Sequence, residues 1–302
     1  MGSLSAGHLC AILSGLGWAF AVILFTRSGE RIPPPVLNLF KGIIATLILI
    51  PILLISSRDA LAAWDSTVWW LVIVSAVIGI TISDTLYFMA LNRLGAGMNA
   101  VVACVYAPTM TLMAVVFLDE SPTVWILVGG SLILTGILVG GLTRPGPGRE
   151  KRDLVTGFAY GVAAMVTVAV SVVILSGQPW FKRPENLIPV TTVRLMFGSL
   201  LLLPPVLLHR RYRAVFQSLL RPSRLWAFAV PASILGGALA MLLWLGAFTL
   251  IPMTTASVLN QFSTIYIFIL ATVVLKEPLT KRRAAAIALA LGGAIVVTVG
   301  SA

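Results

Sequence analysis

Phe117-Leu118-Asp119-Glu120-Ser121-Pro122 and, 157 residues later, Val274-Leu275-Lys276-Glu277-Pro278-Leu279 are two versions of one phrase. Each acidic tag follows a long apolar run and precedes a Gly-rich apolar run. The repeat extends backwards from the tags. Aligning on Glu120 and Glu277 pairs Gly79 with Gly236, Tyr87 with Trp244 and Ala90 with Ala247. The helix-ending turn at Gly95 pairs with that at Pro252, and Lys41 corresponds to Arg194 at a slightly shorter offset. A tandem repeat of membrane helices points to alternating access about a site between two halves.

Composition makes the bilayer the solvent. Of 302 residues, 59% are hydrophobic and only 10% charged, and mean hydropathy is +1.02. A soluble domain carries about 25% charged residues. Charges here separate apolar stretches of roughly 20 residues, the length of helix that crosses about 30 Å of hydrocarbon.

Ten such runs are expected near 8–27, 36–56, 68–91, 98–118, 123–143, 154–176, 187–208, 224–250, 254–275 and 282–300. The first apolar run has span length and no basic region before it, unlike a cleavable secretory signal. The expected fold is all-α: ten transmembrane helices as two five-helix repeats. The first repeat occupies 1–143, a polar Pro/Gly linker 144–153 and the second repeat 154–302. Five is an odd number, so the second half enters from the opposite side and the repeats are inverted.

Loop charge sets the expected orientation. Loops 1–2, 3–4, 5–6, 7–8 and 9–10 carry sixteen Lys and Arg, against Arg58, Lys182 and Arg183 on the other side. The positive-inside rule puts the sixteen in the cytoplasm and both termini outside a cell (inner) membrane. The net charge of +11 is thereby assigned to topology and anionic headgroups, not to nucleic acid.

Ten spans in two halves, each closing with an acidic tag and a Gly-rich helix, resemble the EamA-type branch of the drug/metabolite transporter superfamily. The stretch Leu86-Tyr87-Phe88-Met89-Ala90-Leu91-Asn92-Arg93-Leu94-Gly95-Ala96 is similar to the family's pattern before its fourth helix, and Gly17-Trp18 also fits. The resemblance implies export or uptake of small metabolites, driven by protons or by exchange. It also implies a cavity lined by helices one, three, four, six, eight and nine. Small multidrug relatives carry a Glu in the first helix, where residues 7–26 have no acid. Nucleotide-sugar relatives carry a Lys in a late helix, where residues 257–275 have none. Amino acids and related compounds are left as the leading substrate class.

Asp84 is the only acid deep inside a span. A carboxylate in hydrocarbon costs several kcal/mol, so it should face the bundle interior. It is either locked by hydrogen bonds or serves as the proton-coupling group. Its repeat-mate is Met241. Lys41 and Arg194 lie a turn or more inside their spans. They are expected near opposite faces, snorkelling to headgroups or forming a pair of gates or anion-attracting mouths. Asn260 and Gln261 point about 100° apart on a helix, so one of them is expected to face substrate. Trp18, Tyr87, Tyr106 and Trp244 are candidates for an aromatic wall, with helix packing as the alternative. Pro108 should interrupt span four, and the second half has Ile265 at that place. Glu120 and Glu277 are expected to cap the helices that follow them. Tryptophans at span ends, Trp64, Trp69, Trp70, Trp125, Trp180 and Trp226, read as interfacial anchors.

No cofactor or metal is expected: His8 and His209 sit at span ends, and neither a Walker loop nor an HExxH motif is present. The leading function is a metabolite permease or exporter. The alternatives are a non-transporting subunit or lipid scramblase on the same fold, and less favoured, an intramembrane enzyme. Expected partners are a small-molecule substrate, protons and the bilayer, with the chain a monomer or homodimer.

Overall fold

The computed structural model describes residues 5–141, 151–274 and isolated positions between 281 and 296. Regular structure among the described residues is helical throughout. Helix α1 is Ala6–Gly29 and α2 is Pro34–Ser56. Helix α3 covers 66–94 and α4 covers 96–117, with α5 at Val124–Gly141. In the second half α6 is Lys151–Ser176 and α7 covers 187–208. Helix α8 covers 226–250 and α9 covers 253–274. Seven helical stretches are long and apolar enough to cross a membrane, and two shorter apolar ones, Ala103–Phe117 and Val124–Gly136, accompany them. Residues 144–150 of the linker, Glu277 and most of the tenth apolar run lie outside the described residues, and 151–153 form the first residues of α6.

The outer surfaces are those of a membrane protein. Leu47, Leu54, Ile55 and Leu208 are exposed on the spans, where hydrocarbon would cover them. Two short helices connect the spans. Arg58–Ala62 follows α2, and Arg210–Leu219 presents Arg210, Arg211 and Arg213 while burying Phe216 and Leu219. That division is the pattern of a helix lying in the interface. Trp70 and Trp125 are exposed as anchors should be. Trp64 is instead packed edge-on to Trp69 at 5.3 Å and against Trp180 at 6.2 Å, and it donates to Asn186 Oδ1.

Gly95 separates α3 from α4 because it adopts φ 76°, ψ 171°, a conformation that costs a side-chain-bearing residue strain. Helix α3 is wound as a π-helix over Val77–Asp84, and α8 over Ser233–Leu239, the repeat-related place. Helix α4 tightens to a 3-10 turn at Ala103–Val105. The cause is Pro108, which lacks an N–H and crowds the carbonyl four residues before it. Helix α9 breaks at the corresponding Gln261, where Gln261 N donates to Val258 O and Thr264 N to Gln261 O. The expected difference between halves at this level is therefore corrected: Ile265 stands where the proline would be, yet the helix still breaks.

Glu120 also requires correction. It caps a helix, but not the one that follows it. Its Oε1 accepts from Met253 N at 2.7 Å and its Oε2 from Thr254 N at 2.9 Å. These are orphan donors of the first turn of α9, in the other half. Lys182 stands nearby and donates to Phe248 O at the C-terminal end of α8. Burial lowers its pKa, and the charge of Glu120 opposes that shift.

Replacing Glu120 by alanine should cost on the order of 1–2 kcal/mol and lower the melting temperature in lipid nanodiscs. Exposed Glu185→Ala should leave it unchanged. Hydrogen exchange at the Met253 and Thr254 amides should accelerate in Glu120→Ala, and unaltered exchange there would contradict the cap.

Candidate functional site

The four irregular segments meet around one cavity of about 120 Å³. A π-turn leaves carbonyls without their helical donors, and in a membrane these need partners from protein. Asn38 on α2 supplies one, donating from Nδ2 to Ile80 O at 2.7 Å and to Thr85 Oγ1 at 2.9 Å. The α3 hydroxyls tie outward in turn. Ser75 donates to Ser171 O and Ser83 to Ala164 O on α6, and Thr81 donates to Gly198 O on α7. The distorted turn is thus pinned to three neighbours, and it places Gly79, Ser83, Asp84 and Tyr87 along the cavity.

Gly79 is required by close approach. A methyl group there would lie 2.5 Å from Ser171 Oγ and 2.6 Å from Arg194 Nη2. Gly236, its repeat-mate, packs beneath Trp18, Ala21 and Phe25. Both glycines line the cavity, as do Asp84 and its mismatched mate Met241.

Asp84 accepts an ion-pair hydrogen bond from Lys41 Nζ. Lys41 is 1% exposed and stands 5.4 Å from the centre of the Phe88 ring. Arg194 is also 1% exposed and lines the same cavity as Asp84. The expectation that these two cations sit near opposite faces, snorkelling or gating, is corrected: both are buried at the central site. The reason is that α2 and α7 each pack against α3, the helix that carries Asp84.

Asn260 and Gln261 both line the cavity, where one had been expected. Asn260 Nδ2 donates to Ser14 Oγ at 2.7 Å, and Gln261 Nε2 to Ala103 O at 3.1 Å. At the break Gln261 has φ −63° and ψ −11°. Gln261 satisfies a carbonyl in the broken turn of α4, so the two interrupted helices bond to each other. Trp244 Nε1 donates to Tyr106 Oη at 2.8 Å, and the rings of Trp18 and Tyr87 lie 5.4 Å apart. Met165 and Val168 of α6 supply an apolar patch. Ser14 and Ser263, which also line the cavity, were not singled out in the sequence. Their signal was there: small hydroxyls inside apolar runs bond across helices.

The EamA-like transporter family model matches residues 5–141 and again 155–299. The chain belongs to that family. Its members are membrane proteins that generally transport small molecules. The EamA match falls once on each half and omits the polar segment between them. A solved structure described only as a crystal structure of a protein is similar over 98% of this chain and 98% of its own. Its TM-score is 0.73 at 21% identity, so the likeness speaks for the fold alone. No curated protein matches the sequence.

Removing one partner of a buried ion pair leaves the other charge stranded, which costs about 3–5 kcal/mol. Lys41→Met and Asp84→Asn should each lower the melting temperature in nanodiscs more than the double variant does. Additive losses would show that the pair is not buried as described.

Proposed function

We propose that this EamA family member is a secondary transporter that moves small organic metabolites across the membrane by alternating access. Amino acids and related compounds form the leading substrate class. The cavity carries this reading. Paired irregular segments from the two halves meet around polar and aromatic side chains in the middle of their helices. Broken backbone at membrane depth is tolerated where it lines a cavity or is buried in protein, and transporter sites are built in this way.

In this reading the halves are inverted five-helix units, with the termini outside. Each half rocks against the other about the cavity. Trp18 with Tyr87 and Trp244 with Tyr106 form two walls against which an apolar group slides. Asn260 and Gln261 exchange their protein partners for substrate. Asp84 is the coupling group. While ionised it holds Lys41. On taking a proton it releases that cation, and the contact between α2 and α3 loosens. The Glu120 contact with α9 crosses between halves at the outer end and must open when the site faces outward.

The test is uptake into proteoliposomes of radiolabelled metabolites, with and without a pH gradient. Asp84→Asn should reduce gradient-driven uptake to background, and the Lys41→Met/Asp84→Asn protein separates that effect from lost stability. An unchanged pH dependence in Asp84→Asn would remove the coupling role. If no solute moves under any gradient, the transporter reading fails.

A further inference from the structure

Asp84 and Arg194 line the cavity, and Lys41 reaches Asp84 from α2. Asp84 is hydrogen-bonded to Lys41 and acts on Arg194 only through space, so two buried cations share one acid and Arg194 has no ion-pair partner of its own among the described residues. Arg194 is poorly served. Its Nη2 is 3.3 Å from Ser171 Oγ, a long bond to a neutral group. Its Nε and Nη1, both buried, have no hydrogen-bond partner. A guanidinium carries five N–H donors, and leaving a buried charge unmatched is among the costliest states a side chain can adopt. Burial is not forced by shape alone, since the long side chain of an arginine can snorkel where its surroundings allow. Here Gly79 has no side chain where one would strike Nη2, so the backbone of α3 makes room for the charged head. The Trp244 ring lies 5.9 Å from the guanidinium carbon, which places an aromatic face beside the bare donors.

We infer that Arg194 is the anion subsite of the cavity and takes the carboxylate of a small organic anion whose carbon skeleton lies against Trp244. This rests on the cavity being the transport site. A carboxylate offers two acceptor oxygens and one negative charge, which matches the bare donors and the excess of one positive charge. The cavity measures about 120 Å³, which limits the size of that skeleton. The substrate is therefore an acid with one compact hydrophobic or aromatic arm, not a large dianion.

The test uses purified protein in nanodiscs in chloride-free buffer, with phenylacetate and 4-methylpentanoate each set against its neutral amide. Melting temperature and tryptophan fluorescence report binding. At least one acid should bind at least about tenfold more tightly than its amide, the scale of one lost charged hydrogen bond. Arg194→Gln should erase that preference, and Arg194→Lys should keep part of it. Without ligand, Arg194→Met should melt higher than the native protein, because an uncompensated charge has been removed. A purely structural arginine would give a lower value, which would overturn the inference. Equal binding of acids and amides, binding of neither, or a preference that survives in Arg194→Gln would also overturn it. Inorganic phosphate forms a separate arm, and tighter binding of phosphate than of either acid would overturn the carboxylate assignment. Flux in proteoliposomes separates the two claims. Transport of neutral amides at the same rate as acids would sink the subsite and leave the transporter. Acid binding without flux would sink the transporter and leave the subsite.

Discussion

A backbone N–H or C=O that loses its helical partner inside hydrocarbon has no water to turn to, and each such loss costs several kcal/mol. Every irregular turn among the described spans therefore has to be matched by protein. The matching is visible in α3, in α4 and at the start of α9. Asn38 reaches the opened turn of α3 at Ile80, and Gln261 reaches the carbonyl of Ala103 in the tightened turn of α4. Glu120 covers the first two amides of α9. These bonds run between helices, so they also fix the packing of the bundle.

The two halves share these distortions more closely than they share residues. The π-turns at Val77–Asp84 and Ser233–Leu239 coincide under the repeat, as do the breaks at Ala103–Val105 and Gln261. Pro108 stands beside one of the four, and Pro231 two residues before a second, the π-turn of α8. A glycine stands in each π-turn, Gly79 and Gly236, and each meets a neighbour too closely for a methyl group. Close approach, more than local propensity, holds the distorted geometry in both halves. The same geometry is then dressed differently: hydrogen-bonded across three helices in α3, and packed beneath Trp18 and Phe25 in α8.

Much of this was legible in the sequence because hydropathy and repeat spacing are signals of the chain itself. Span edges fell within a few residues of the helices from α1 to α9, and Gly95 marked its turn through its freedom at positive φ. Eight residues singled out from their chemistry line one cavity: Trp18, Asp84, Tyr87, Tyr106, Arg194, Trp244, Asn260 and Gln261. What remained hidden were partners. Lys41 looks like a snorkelling lysine until α2 is packed on α3 and Asp84 is found beside it. Glu120 looks like a local cap until α9 is brought to it from 133 residues away. Pro108 announces a break by its ring, whereas the break at Gln261 comes from tertiary bonds that no local pattern encodes.

The repeat gives each half one buried cation, Lys41 on α2 and Arg194 on α7, at nearly corresponding places. It gives an acid to only one half, because Asp84 faces Met241 across the pseudo-symmetry. Had both halves kept the acid, two closed ion pairs would hold the bundle and nothing in the cavity would ask for a ligand. Had both lost it, two stranded cations would make the folded state too costly. The observed arrangement lies between these limits: one pair is complete and one is open. Methionine is a fitting occupant of the open side, since its flexible thioether adapts to what lies beside it. The broken symmetry thus leaves Arg194 without an ion-pair partner of its own among the described residues, next to the ring of Trp244 and within the cavity the distorted helices enclose.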